Sequence, residues 1–167
     1  MLEKIKIELG NIVNYDCDAI VNSANIWLLG GSGVCGAIFR AAGKLELQAA
    51  CDKFGGCETG KAVITSGFNL KAKYIIHAVG PRYKDDNDAV LLESAYKSIL
   101  KIAGEYNLKS IAIPSISTGI YGYPLEKAVK IALNTLINNE VKTLDNIYIV
   151  CFDQRTYNAY QEEFNKY

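Results

Sequence analysis

Seven residues, Gly30-Gly31-Ser32-Gly33-Val34-Cys35-Gly36, place four glycines directly ahead of Ala37-Ile38-Phe39-Arg40-Ala41-Ala42, a run with helical pattern. Glycine costs chain entropy, yet it lets backbone N–H groups turn toward a ligand at close range, and a helix N-terminus behind them adds partial positive charge. That combination suits phosphate. A second run, Ser115-Ile116-Ser117-Thr118-Gly119-Ile120-Tyr121-Gly122, follows an apolar stretch and is equally rich in groups that hold anions. Either loop alone is as consistent with a tight turn as with a ligand. The first lacks the G-K-[ST] ending of a P-loop, and Asn22-Ser23-Ala24-Asn25 stands where a dinucleotide fingerprint would open directly off its strand. Held together at one sheet edge, the two loops would grip two phosphates without a metal.

The elements that must position these loops are legible as a pattern. Short runs rich in Ile and Val recur at KIKIEL, DAIVN, AVITSG, YIIHAVG, SIAIPSI and NIYIVCF, each of strand length. Between most of them lie helical patterns: one region from Gly36 to Phe54, a second from Asp88 to Asn107, a third from Pro124 to Glu140 and a fourth from Thr156 to Tyr167. Strands alternating with helices predict a mostly parallel, mixed sheet covered on both faces, a three-layer α/β/α sandwich. Pro124 sits where a helix can begin, with Glu126 in its first turn, and Asp85, Asp86 and Asn87 are N-cap candidates for the second helix. Ligands of such sheets bind beyond the carboxyl ends of the strands, which selects the loops after DAIVN, SIAIPSI and NIYIVCF.

Composition narrows the function. A chain of 167 residues, half of them apolar, is read as one domain over residues 1–167. Eighteen basic residues balance eighteen acidic ones, so broad affinity for nucleic acid or anionic membranes is not expected. Five cysteines without a CxxC pair, and one histidine, argue against zinc and against a secreted disulfide framework; reduced, mostly buried thiols are expected. The N-terminal stretch reads as neither signal peptide nor membrane span, and a cytoplasmic monomer is the default expectation.

DAIVNSAN, LLGGSGVCGAIFRAAG, GGCETGKAVITSGFNLKAKYIIHAVGP, IAIPSISTGIYGYPLEKA and IYIVCFD follow, in order, the pattern of macrodomains, most closely the MacroD-type branch of ADP-ribosyl hydrolases and O-acetyl-ADP-ribose deacetylases. The resemblance spans the chain from Ile5 to beyond Asp153. It implies ADP-ribose, free or on a modified protein, as ligand, with O-acetyl-ADP-ribose a further substrate and neither metal nor cofactor. Carried over by position, Asn25 would contact the distal ribose and Asn22 would shape its loop. Gly30, Gly31, Ser32, Gly33 and Val34 would line the distal ribose and phosphates. Ser117, Thr118, Gly119, Ile120 and Tyr121 would close over the diphosphate, with Tyr121 near the distal ribose. Asn11 and Ile12 would meet the adenine edge and Phe152 its face, although spacing alone reads Phe152 as a core aromatic. His77 reads as a buried core residue, Arg40 as a phosphate contact or a packing residue, and Trp27 as exposed in its loop.

Four positions depart from the resemblance. Cys35 stands where MacroD-type members have an Asp that helps to activate water, and Phe39 stands where they have His. A thiol of pKa about 8.5 is mostly protonated at neutral pH, and losing such a group lowers rate by about 100- to 10,000-fold. Asn11 replaces an acid that accepts from the adenine amino group, and Ser32 replaces a glycine, which a negative φ would accommodate. Two functions follow as expectations: a slowed hydrolase whose water is assisted by the ligand phosphate, or a binder without turnover.

Overall fold

A computed structural model describes all 167 residues. Six strands, β1 (Ile5–Leu9), β2 (Ala19–Ala24), β3 (Ala62–Ser66), β4 (Tyr74–Val79), β5 (Ser110–Ile113) and β6 (Asn146–Cys151), form one sheet in the order β1-β6-β5-β2-β4-β3. All neighbours are parallel except β3, which runs antiparallel to β4 at the edge. Five helices cover it: α1 (Gly33–Ala42), α2 (Lys44–Asp52), α3 (Asp88–Glu105), α4 (Leu125–Asn138) and α5 (Gln154–Phe164). This is the expected α/β/α sandwich. No helix is long and apolar enough to cross a membrane.

Alternation along each strand divides the core in two. Ala19 and Val21 of β2 join Ile76, Ile111 and Ile147 in a cluster of 28 buried residues beneath α3, α4 and α5. Ile20 and Ala24 join Ile75, Val79, Phe39 and Leu47 in a cluster of 16 beneath α1 and α2. The chain leaves β2 for α1 on one face and β5 for α4 on the other, so the topology switches between these neighbouring strands. They pair only at Ala19↔Ile111 and Ile20↔Ala112 and separate beyond, opening a crevice at their carboxyl ends.

The first helical region is two helices rather than one, broken at Gly43, whose φ of 112° is closed to residues with a side chain. Of the three N-cap candidates of α3, Asn87 takes the position but makes no capping bond. Its backbone lies in the left-handed region, while Asp85 Oδ2 accepts from Arg82 N–H and Asp88 Oδ2 from Lys84 N–H, closing the preceding turn instead. Pro124 does precede α4, with Glu126 in its first turn. α5 starts earlier than its periodicity predicts because Asp153 accepts from Thr156 N–H at 2.8 Å and so caps it.

Candidate functional site

Five loops, not three, meet at the carboxyl edge of the parallel strands, since those after β1 and β4 join the ones after β2, β5 and β6. The loop after β2 is clamped by its own first residue. Asn25 Oδ1 accepts from Leu29 N–H at 3.0 Å while its Nδ2 donates to Leu29 O at 2.9 Å, and Leu28, at φ 57°, turns into the core. Gln48 of α2 holds the next stretch, accepting from Gly30 N–H and donating to Leu28 O. Gly30 lies flat on Phe39, whose ring would stand 2.9 Å from an added Cβ, and Gly31 O lies 2.3 Å from where a Cβ on Gly36 would be. Ser32 is extended at φ −101°, so it is accommodated without strain, and the positive φ falls on Gly33. The Gly31 amide faces the Cys35 sulfur, and the amides of Ser32 through Cys35 find no backbone acceptor.

The loop after β5 has its hydroxyls engaged within the protein. Ser117, at φ 67°, donates from Oγ to Pro81 O at 2.7 Å, and Thr118 Oγ1 donates to Ser115 Oγ at 2.8 Å. The β4 loop fits beneath it at Gly80, where a Cβ would meet Ser117 Oγ at 2.3 Å, and Tyr83 N–H donates to Tyr121 O. Gly80 and Pro81 escaped the sequence reading; a Gly-Pro step closing a buried strand was the available signal. The amides of Thr118, Gly119, Ile120 and Tyr121 again find no protein acceptor, and Ile120 is almost wholly exposed. The crevice thus has a row of free backbone donors on each side, an arrangement that holds an anion without a basic side chain.

Beneath the first loop the sheet is polar. Asn22 and His77 are register neighbours on β2 and β4, both buried, and Asn22 Nδ2 lies 3.1 Å from His77 Nδ1. His77 Nε2 lies 2.9 Å from Thr65 Oγ1, which donates to Ser66 O. These bonds are mutually satisfied when Nε2 carries the proton and Nδ1 accepts from Asn22. Burial lowers the histidine pKa to about 4, so the ring is neutral. Asn22 Nδ2 also reaches Cys35 Sγ at 3.7 Å, and that thiol reaches Leu29 O at 3.6 Å. Burial raises the thiol pKa, leaving it protonated and turned into the loop. Asn22 Oδ1 has no partner.

At the far end, Gly10 N–H donates to Cys151 O, bringing the β1 and β6 loops side by side. Asn11 Oδ1 accepts from Val13 N–H at 3.2 Å, Ile12 is buried, and the Phe152 side chain stands 76% exposed rather than in the core. The carboxyl edge therefore carries Asn11, Ile12, Phe152, Asn25, Gly30 to Val34 and Ser117 to Tyr121 on its loops, with Asn22 and Cys35 buried below the first of the glycine loops. Arg40 is exposed on α1 and in no ion pair, and Trp27 is 65% exposed. All five cysteines are free thiols, four of them buried.

A Macro domain family model matches residues 21–132, and the chain belongs to that family. It is 50% identical to a macro domain-containing protein of Caldanaerobacter subterraneus, covering 99% of this chain and 98% of that one. It is 45% identical to a protein of Pantoea vagans named O-acetyl-ADP-ribose deacetylase 1, covering 98% of this chain and all of that one. Among solved structures, an Oceanobacillus iheyensis macrodomain mutant with ADPR superposes with a TM-score of 0.90 at 40% identity, over 97% of this chain and 92% of that one. A Trypanosoma brucei macrodomain in complex with ADP-ribose superposes with a TM-score of 0.88 at 40% identity, over 95% and 68%.

Proposed function

We propose that the chain binds ADP-ribose in this crevice and hydrolyses it from modified acidic side chains, or removes the acetyl group from O-acetyl-ADP-ribose. The observation that carries the reading is the pair of facing loops, each with free amides and neither with a basic side chain, where β2 and β5 separate. The diphosphate lies between the Gly30–Val34 loop, through its free amides from Ser32 onward, and the Ser117–Tyr121 loop, the adenine stacks on Phe152 beside Asn11 and Ile12, and the distal ribose reaches Asn25 and Tyr121. The relatives named for ADP-ribose and for its O-acetyl ester support the same ligand.

No side chain in the crevice serves as a base. The Cys35 thiol is buried, protonated and directed at Leu29 O, and His77 lies beneath the loop with both ring nitrogens committed. The ligand phosphate therefore orients and activates the water, and the protein contributes a rigid grip on diphosphate and ribose. The same observation favours a second reading, a binder without turnover. Calorimetric titration with ADP-ribose, followed by incubation with a protein mono-ADP-ribosylated on glutamate, separates the two. Binding with release is expected, and Cys35→Asp should raise the rate by about 100-fold or more. Release seen only with the variant establishes the second reading, and no ADP-ribose binding sinks both.

A further inference from the structure

We infer that the base end of the crevice accepts a 6-oxo purine, such as hypoxanthine, as readily as adenine, an inference that rests on the ADP-ribose reading above. The geometry of Asn11 carries it. Asn11 is the N-cap of the 3-10 turn Ile12–Asn14, and its Oδ1 is held on the turn side by Val13 N–H at 3.2 Å. Because a backbone N–H can only donate, that bond fixes which way the amide points. The outer atom is Nδ2, a donor, with no partner in the protein, on an exposed side chain beside the exposed Phe152. Adenine offers an amino donor at position 6, whereas a 6-oxo purine offers a carbonyl acceptor there. A donor at Asn11 therefore meets the oxo edge directly and gives the amino edge nothing to donate to. The acid adjoining Phe152 is turned toward its own helix, with Asp153 Oδ1 accepting from Thr156 N–H at the start of α5, which leaves Asn11 as the side chain that caps the turn at this end of the crevice.

The test is calorimetric titration of the full chain and of Asn11→Asp with ADP-ribose and with its hypoxanthine counterpart, inosine diphosphate ribose. Aspartate caps a helical turn as well as asparagine does, so the turn survives while the outer atom changes from donor to acceptor. The natural protein should bind the two nucleotides with Kd values within about threefold, and Asn11→Asp should shift the preference toward ADP-ribose by about tenfold, the worth of one charge-assisted hydrogen bond. ADP-ribose binding in both proteins, with a preference that moves by less than about threefold, overturns the inference and leaves the ADP-ribose reading standing. Binding of neither nucleotide by the natural protein removes that reading, and this inference with it.

Discussion

The two faces of the sheet are built by the same strands and differ in kind. Beneath α3, α4 and α5 the strand residues are Ala, Ile and Val, with Cys151, in a cluster of 28 whose only polar ties to the β5 loop are the Tyr96 hydroxyl, accepting from Ile116 N–H, and the Tyr160 hydroxyl, donating to Ser115 Oγ. Beneath α1 and α2 the smaller cluster of 16 surrounds buried Asn22, His77 and Thr65, with Asn22 tied to Cys35 of the helix above. Burial is non-directional and stabilises many arrangements equally, whereas a hydrogen-bonded network in a dry interior is satisfied in one. The first glycine loop hangs from the polar face, and Cys35 links that network to Leu29 of the loop. The larger face is apolar through its depth and reaches the β5 loop only at its rim, through two tyrosine hydroxyls, whereas the smaller face holds the β2 loop through a polar network that runs across the sheet itself.

The largest effect should come from the apolar face. Leu133 is fully buried there, and Leu133→Ala should cost about 2–5 kcal/mol in urea unfolding while ADP-ribose affinity of the folded protein stays within about twofold. On the polar face, Asn22→Leu leaves His77 Nδ1 without its donor, a loss of about 1–3 kcal/mol, yet should weaken ADP-ribose binding by about tenfold. Equal effects on affinity from the two substitutions would collapse the distinction between the faces.

Acid sharpens it next. His77 has an ordinary pKa of 6.5 when unfolded and about 4 when folded, lowered by burial. Below pH 6.5 the unfolded chain takes up a proton that the native ring refuses until about pH 4, so this group's stability is complete above pH 6.5 and is lost as pH falls toward 4. The loss amounts to about 3 kcal/mol and levels off below the folded pKa. Urea unfolding of the natural protein and of His77→Gln over this range isolates the contribution, because carboxylates act in both and cancel in the difference. Parallel pH profiles would show that the polar floor does not refuse the proton.

The sheet was legible because Ile and Val recur in strand-length runs between helical periods, and the loops because glycine, serine and threonine crowd after two of those runs. The break at Gly43 was not, since a lone glycine between two helical patterns does not reveal its φ. The missing capping bond before α3 has a related cause: Asp85 and Asp88 bond to amides of their own turn, a choice that depends on tertiary placement of the β4 loop. His77 was legible as a core residue from the apolar run around it. Its partners were not, because Asn22, Thr65 and Cys51 converge only through strand register and helix packing.

The smallest effects test how the first loop is seated. Gly36 lies inside α1, where alanine ordinarily stabilises a helix by about 1 kcal/mol over glycine. Here the new Cβ would stand 2.3 Å from Gly31 O, a backbone atom with the whole loop behind it. Gly36→Ala should therefore destabilise, by about 1–3 kcal/mol, and displace the amides of Gly31 to Val34 enough to weaken ADP-ribose by about tenfold. Gly31→Ala meets nothing within 4 Å and needs no left-handed backbone, so stability should change by less than about 0.5 kcal/mol. Whatever affinity Gly31→Ala loses comes from crowding at the crevice alone. If Gly36→Ala stabilises the protein as it would an isolated helix, the loop is not seated on α1, and the polar face does not position it.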